Sequence, residues 1–350
     1  MLRRSTVRLG ILLVIVIAAA GQFTEAGERT ILRIYAWSDY FDHEVLAEFE
    51  DLRNCVVAID TFDANEAMLD TLLAGTVHPY DIVTPSAYMS VEMYRQGLLS
   101  AIDHSLIPNL GNLDRAFAGF TGDPLMEYSV PYTRTVTGVG YNTAKLPGIV
   151  RSWAVFGNRE QYRRTTMLAD VRESMGAALK YLGYSLNTSD DAELADAAAQ
   201  LRRWRDNIAK FEVDEGNIGL GSGQYLAVQG YNGDVAMLME ENSDIGFFVP
   251  EEGSAISIDD FVVPANSANP GLAHAFINHM LDTKVAAKNM ASILYYMPVT
   301  GALELVPEKL LSNQAFSVPA ATLAKCEVIR DLGDDTAKYE ELWEAIINAH

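Results

Sequence analysis

Carboxylate and aromatic side chains recur at the ends of predicted strands, and these residue types suit the binding of a cation. Carboxylates pair with ammonium ions through charge-assisted hydrogen bonds. Aromatic faces cover methylene chains and attract cations, with a gain of about 0.5–2 kcal/mol per contact. The pattern therefore predicts a ligand with a slender apolar chain and positive ends. It occurs in five places, at residues 37–40, 85–88, 170–173 and 231–234 and at Asp259.

Each of these groups also fits a purely structural role when it is taken singly. Tryptophan and tyrosine near strand ends often close the edge of a core, and an aspartate after a strand often caps a helix. Asp170, three residues before Glu173, has the spacing of a capping box. Recurrence at five strand ends favours the binding interpretation.

Signatures of catalysis and of metal binding are missing from the sequence. Residues 219–223 read G-L-G-S-G, in which the serine is not at the position that a nucleophile elbow requires. The sequence shows neither the nucleophile nor the base that a hydrolase would need. Gly138 and Gly140 lack the third glycine of a dinucleotide fingerprint. His274 and His279 are five residues apart and share a helix face poorly. The sequence predicts a protein that is not an enzyme and that uses no metal and no cofactor.

The first part of the chain alternates between strand and helix patterns. This order predicts a parallel sheet covered by helices, which binds ligands beyond the carboxyl ends of its strands. Asn65 is expected to cap the second helix through its side chain. The predicted strands cover residues 31–36, 55–59 and 80–83, and the predicted helices cover 44–50, 66–75 and 88–96.

The second part repeats the α/β pattern without a flexible linker, so we expect two lobes between which the chain crosses several times. Glycine-rich residues 216–223 are expected to form a loop, and Asp259 is expected just before a strand. The predicted strands here cover residues 136–141, 166–168, 247–250 and 260–263.

Charge and length narrow the possible partners. The 350 residues contain 26 Lys and Arg against 47 Asp and Glu, a formal net charge of −21. This balance argues against binding nucleic acid or anionic lipid, which need a basic face. The negative charge would attract small cations. The length of the chain is enough for about two domains.

The N-terminus has the three-part pattern of a secretory signal peptide. Arg3, Arg4 and Arg8 precede an apolar run over residues 9–20, and small residues offer cleavage after Ala20 or Ala26. The apolar run is shorter than the roughly 20 residues that span a bilayer. We therefore predict a signal peptide over residues 1–26 and an exported chain.

The two cysteines, Cys55 and Cys326, are too few for a disulfide framework. They could form one long-range disulfide or remain free thiols.

Several segments in the same order resemble the spermidine/putrescine-binding periplasmic proteins of polyamine ABC transporters. The likeness extends over nearly all of residues 31–350. Its most specific segments are I-Y-A-W-S-D-Y at 34–40, F-D-A-N-E at 62–66, Y-D-I-V-T-P-S-A-Y at 80–88 and V-P-A-N-S-A-N at 263–269.

The resemblance implies a two-lobed α/β periplasmic-binding-protein fold of type II that closes on its ligand by hinge bending. Lobe one would hold residues 27–136 and 258–304, and lobe two 137–257 and 305–350. The implied function is capture of a linear polyamine, of the putrescine or spermidine class, for delivery to an ABC transporter permease. We expect a periplasmic monomer. The alternatives are a polyamine sensor for a membrane signalling protein, or a receptor for another amine or an amino acid.

The resemblance also implies a set of ligand-binding residues, with three departures from the family pattern. Ser257 replaces an aromatic residue, Arg134 replaces a tryptophan, and Ile329 replaces a glutamine of the spermidine-binding branch. Arg134 would repel a polyamine or bind a ligand carboxylate if it faced the cleft, and it would matter little at the surface. The implied ligand-binding residues are Trp37, Ser38, Asp39, Tyr40, Ser86, Tyr88, Asp170, Glu173, Tyr231, Asp234, Asp259 and Tyr296.

Overall fold

Alternation of strands and helices gives the chain a mixed α/β architecture. The computed structural model describes residues 29–75, 79–213 and 215–348, and the predicted signal peptide lies outside them. The strands are β1 (Thr30–Ala36), β2 (Cys55–Thr61), β3 (Ile82–Val83), β4 (Ser129–Asn142), β5 (Thr165–Leu168), β6 (Lys210–Glu212), β7 (Ala227–Tyr231), β8 (Ile245–Phe248), β9 (Ala255–Val262) and β10 (Glu327–Val328).

The helices cover the faces of the sheet, and short 3-10 turns fill several connections. None of the helices in the described ranges combines the length with the apolar character that a membrane span requires. The helices are α1 (His43–Arg53), α2 (Asn65–Ala74), α3 (Ala87–Arg95), α4 (Arg115–Ala118), α5 (Val171–Leu182), α6 (Asp191–Arg205), α7 (Glu215–Gly221), α8 (Asn232–Glu241), α9 (Pro270–Met280), α10 (Thr283–Ile293), α11 (Glu308–Leu311), α12 (Ala320–Leu323) and α13 (Thr336–Ile347).

Strand β4 connects two groups of strands. In the first group β2, β1 and β3 are parallel, and β9 lies antiparallel between β3 and β4. In the second group β5 lies parallel between β6 and β7, and β7 and β8 are both antiparallel to β4. The partner of β4 changes at one point: Val136 pairs with Ile256 of β9, and Thr137 pairs with Tyr231 of β7.

The predicted α/β class and most predicted elements are confirmed, but three local predictions are wrong. Helix α2 begins after Ala64 without a side-chain cap, because the Asn65 side chain bonds elsewhere. Residues 216–221 belong to helix α7 because the Tyr225 ring packs against Gly219 in a space that a larger residue would fill. Asp259 lies inside β9, because that strand begins at Ala255 to pair with β4.

The cysteines are both free thiols. Cys55 is buried at the start of β2, and Cys326 is partly buried just before β10. The alternative of a disulfide between them is therefore excluded in this structure.

Candidate functional site

A cavity of about 1500 Å³ lies where the two groups of strands meet. Among its described lining residues, thirteen are acidic and two are arginines, so its formal charge is strongly negative. It brings together eleven of the twelve residues proposed from the sequence: Trp37, Ser38, Asp39, Tyr40, Ser86, Tyr88, Asp170, Glu173, Tyr231, Asp234 and Asp259.

One carboxylate, Asp259, is held on β9 by hydroxyl groups from three other segments. The Ser86 hydroxyl donates to Oδ1 of Asp259 at 2.9 Å, and the hydroxyls of Tyr40 and Thr133 both donate to Oδ2, the Thr133 hydroxyl at 3.4 Å. Asp259 is only 6% exposed, and this burial raises the pKa of its carboxyl. The hydroxyl bonds oppose that rise because they favour the charged form. A cation beside Asp259 would favour the charged form further.

Asn65 holds Ser86 and Tyr88 in position at this end of the cavity, whereas the sequence predicted that it caps helix α2. Its amide nitrogen donates to the Ser86 hydroxyl at 3.2 Å and to the Tyr88 hydroxyl at 3.0 Å. Its oxygen accepts from the Ser86 backbone N–H at 3.1 Å. Asn65 therefore fixes the serine that in turn orients Asp259. The sequence feature that could have indicated a role at the site is the position of Asn65 within F-D-A-N-E, one of the segments that resemble the family.

A second acidic group lies at the start of helix α5. The Asp170 side chain accepts from the Glu173 N–H at 3.0 Å, which confirms the predicted cap. Burial, and then the Asp170 charge, raise the pKa of Glu173 to about 8. Glu173 is 3% exposed, and its Oε2 atom has no hydrogen-bond partner among the described residues. A buried oxygen in this state is suited to accept a bond from a ligand.

The two arginines that line the cavity are already engaged. Arg172 donates to the Arg330 carbonyl at 2.9 Å and to the Asn187 side chain at 3.0 Å. Arg95 forms ion pairs with Glu92 and Asp331. Arg95 is therefore paired with acids, whereas the printed bonds of Arg172 go to neutral groups, and its charge lowers the pKa of Asp170 and Glu173 against the effect of burial.

Aromatic rings supply apolar walls between the acids. Trp37 packs on Phe62 with ring centroids 4.4 Å apart, and its Nε1 atom is buried without a hydrogen-bond partner in the described part of the chain. The Tyr295 hydroxyl donates to Asp234 at 2.5 Å. Tyr231 lines the same wall, and burial raises its pKa well above the usual value, so the ring stays neutral.

Tyr296 does not line the cavity, whereas its neighbour Tyr295 does. The Tyr296 ring packs instead against Arg134, whose guanidinium carbon lies 4.4 Å from the ring centroid, and against Phe117. Arg134 is also absent from the cavity lining, so it does not set a positive charge in the cleft. Alternation along β4 explains this, because the next residue, Thr135, lines the cavity and successive side chains of a strand point to opposite faces.

The remaining proposed residues differ in exposure. Ser38 and Asp39 are exposed at the cavity rim, and Asp39 has a positive φ of 53° in the turn after β1. Ser257 and Ile329 both line the cavity. Within the described residues, no group of three or more His, Cys, Asp or Glu is placed to hold a metal ion.

Comparison with known proteins identifies the family of this chain and relatives that bind polyamines. The family model described as bacterial extracellular solute-binding protein matches residues 44–316. The spermidine/putrescine-binding periplasmic protein of Salmonella typhimurium is 30% identical over 329 residues, covering 92% of each chain. The putrescine-binding periplasmic protein PotF of Escherichia coli is 29% identical and covers 86% of this chain and 87% of its own.

A solved structure extends the likeness to the fold. The spermidine/putrescine ABC transporter substrate-binding protein PotD from Streptococcus pneumoniae has a TM-score of 0.79 and 30% identity. The match covers 91% of this chain and 98% of that one. These findings confirm the resemblance and the type II periplasmic-binding-protein fold expected from the sequence.

Proposed function

Because the chain belongs to the bacterial extracellular solute-binding protein family, we propose that it captures a linear polyamine and delivers it to an ABC importer. The observation that carries this proposal is the pair of acidic groups in one aromatic-walled cavity, the buried Asp259 and the buried Glu173 with its neighbour Asp170. A polyamine places ammonium groups at both ends of an apolar chain, and the two acidic groups would each receive one. The names of the relatives, which bind spermidine or putrescine, agree with this chemistry.

Water exclusion would strengthen both contacts. Coulomb attraction between unit charges at 4 Å rises from about 1 kcal/mol in water to about 4 kcal/mol at an effective dielectric constant of 20. Trp37, Tyr231 and Tyr295 would cover the methylene groups between the ammonium ends. Tyr295 replaces Tyr296 in this set of ligand-binding residues, because Tyr295 lines the cavity. Binding of this kind needs no nucleophile, and we propose a receptor without catalytic activity.

The two lobes are proposed with the boundaries expected from the sequence, 27–136 with 258–304 and 137–257 with 305–350. The change of partner along β4 between Val136 and Thr137 supports the first crossover. Contacts between α3 and lobe two, including the ion pair of Arg95 with Asp331, support a cleft that closes over the ligand.

We also propose that residues 1–26 direct the chain to the periplasm and that an ABC permease is its partner. The periplasmic relatives and the ABC transporter substrate-binding protein of similar fold support both parts.

A thermal-shift and calorimetric screen tests the function. The purified mature chain is mixed with putrescine, spermidine, γ-aminobutyrate and glutamate at the same salt concentration. A ligand at 100 times its dissociation constant adds about 2.7 kcal/mol to the free energy of unfolding. We expect the polyamines to stabilise the protein and the amino acids to leave it unchanged, because the acidic cavity repels a ligand carboxylate. Stabilisation by an amino acid alone would overturn the proposal.

A further inference from the structure

Basic side chains concentrate in one part of this strongly acidic chain. Residues 159–164 and 202–210 hold seven basic and two acidic residues, while the whole chain has a formal net charge of −21. The two segments lie side by side. The Asn207 side chain donates to the Phe156 carbonyl at 2.9 Å, and the Arg163 N–H donates to the Asn207 carbonyl at 2.8 Å. The basic residues of both segments therefore share one region of the surface.

This region lies at the amino ends of the strands, whereas the cavity lies at their carboxyl ends. Arg163 and Arg164 directly precede β5, and the chain beyond β5 reaches the cavity at Asp170. The Arg163 side chain donates to the Ile208 carbonyl at 2.9 Å, shortly before β6. The Arg164 side chain donates to the Gln224 carbonyl at 2.7 Å, shortly before β7. Neither arginine lines the cavity, so this region is separate from the site described above.

The positive charge of this region is available to an external anion. Of its two acids, Asp206 already pairs with Arg205, and Glu160 is exposed beside Arg159. A guanidinium group can donate two parallel hydrogen bonds to a phosphate or a carboxylate. Four exposed arginines form no ion pair with any residue that the structure describes: Arg159, Arg163, Arg164 and Arg203.

An exposed aromatic ring lies among these arginines. Tyr162 is 51% exposed, and the guanidinium carbons of Arg159 and Arg163 lie 5.8 and 5.4 Å from its ring centroid. A tyrosine joins an apolar ring to a polar hydroxyl, so it suits the boundary between lipid tails and headgroups. We call the surface made of these residues the arginine face: Arg159, Tyr162, Arg163, Arg164 and Arg203.

We propose that the arginine face binds the phosphate groups of an anionic phospholipid bilayer. The inference goes beyond the proposed function and uses it only for a place of work beside a membrane. The position of the face favours a bilayer over the permease, because a permease must receive the ligand at the cavity. The net charge of the whole chain argued against anionic lipid. Salt screens charges beyond about 8 Å at physiological ionic strength, so the residues nearest the bilayer decide the interaction.

Attachment through the arginine face leaves the cleft free to take up ligand, because the cavity lies at the opposite ends of the strands. Each arginine near an anionic bilayer strengthens binding by roughly fivefold. Four arginines therefore give a reversible attachment, which the chain would leave to deliver its ligand.

Co-sedimentation with lipid vesicles tests the proposal. The purified mature chain is mixed at low salt with vesicles of phosphatidylcholine alone, or with vesicles in which phosphatidylglycerol replaces one third of that lipid. We expect at least 50-fold stronger binding to the anionic vesicles, since each arginine contributes roughly fivefold. The difference should vanish in about 1 M salt, where the Debye length is about 3 Å.

Two double variants separate the arginine face from net charge. Arg159→Gln with Arg203→Gln removes two charges of the face and should weaken binding to anionic vesicles at least tenfold. Arg53→Gln with Lys284→Gln removes as many charges from exposed positions outside the face, and binding should stay within twofold of the wild type. Titration of each variant with spermidine checks that it is folded and that its ligand site is intact.

Equal binding of the wild type to both kinds of vesicle would overturn the proposal, as would equal losses in the two double variants. Retention of the chain on polyglutamate beads without binding to anionic vesicles would also overturn it, and would indicate an acidic protein as the partner. All three results leave the proposed function standing. Failure of the wild type to bind any polyamine would overturn the proposed function without changing the vesicle result.

Discussion

Replacement of Asp259 by asparagine should weaken polyamine binding strongly while leaving the fold intact. Asparagine has nearly the same shape as aspartate, and the surrounding hydroxyls of Tyr40, Ser86 and Thr133 can either donate or accept. The substitution therefore removes the charge of a buried carboxylate with little change in packing. Any loss of affinity reports on that charge.

The burial of Asp259 sets the expected size of the loss. The carboxylate is 6% exposed, so an ammonium at about 4 Å would interact with it by about 4 kcal/mol at an effective dielectric constant of 20. The three hydroxyl bonds already stabilise part of the charge, which reduces the share supplied by the ligand. We expect a loss of about 2–4 kcal/mol, or roughly 30- to 700-fold in the dissociation constant.

Isothermal titration with spermidine and putrescine measures this loss, and thermal unfolding without ligand checks the fold. Asp70→Asn is the matched control, because Asp70 also lines the cavity but is exposed at its rim. Water screens an exposed charge, so this control should change affinity by less than about fivefold. Equal effects of the two substitutions, or a loss below threefold in Asp259→Asn, would refute the reasoning from burial.

Three further perturbations probe titration and orientation. Burial and Asp170 raise the pKa of Glu173 to about 8, and a bound ammonium would lower it. Polyamine binding should therefore release a proton and tighten by up to about tenfold per pH unit from pH 6 to 7.5, and Glu173→Gln should abolish this slope. Calorimetry in buffers of different ionisation enthalpy measures the proton, and a wild type without pH dependence would contradict the assignment. Burial also raises the pKa of Asp260 to about 8 from an ordinary value of 3.8, so the native state holds a proton that the unfolded chain has lost over this range. The free energy of unfolding should therefore fall as pH rises from about 4 to 8. Asp260→Asn cannot ionise and should flatten this fall when melting is measured at several pH values. Parallel pH curves for the wild type and the variant would contradict the assignment to Asp260. Arg134→Met should leave polyamine affinity within twofold of the wild type in titration, because Arg134 packs on Tyr296 outside the cavity, and a tenfold change would place it at the site after all.

The features of this protein that depend on local interactions could be predicted from its sequence. The alternation of strand and helix patterns predicted the α/β class, since periodicity depends on neighbours a few residues apart. The Asp170 cap was predictable for the same reason, because its partner is the backbone of Glu173 three residues later. Recurrence of acids and aromatics near strand ends identified eleven of the residues that line the cavity, mainly because parallel strands place their carboxyl ends at one edge.

Contacts between distant segments were decided only by the tertiary structure. The residues next to Asn65 in the sequence predict a helix cap. Its side chain instead bonds Ser86 and Tyr88, because packing brings the start of α2 against the loop before α3. Tyr295 and Tyr296 lie in an irregular segment with no period to orient them, so only packing selects Tyr295 for the cavity.

The amino-acid sequence by itself determined which residue types were available for the site, their local elements and an excess of negative charge. Tertiary structure decided which of the many acids lost contact with water. Asp259 is buried because β9 pairs with β4 and because Tyr40, Ser86 and Thr133 come from separate parts of the chain. Burial depends on atoms that are distant along the chain, so residue type and spacing could not predict it.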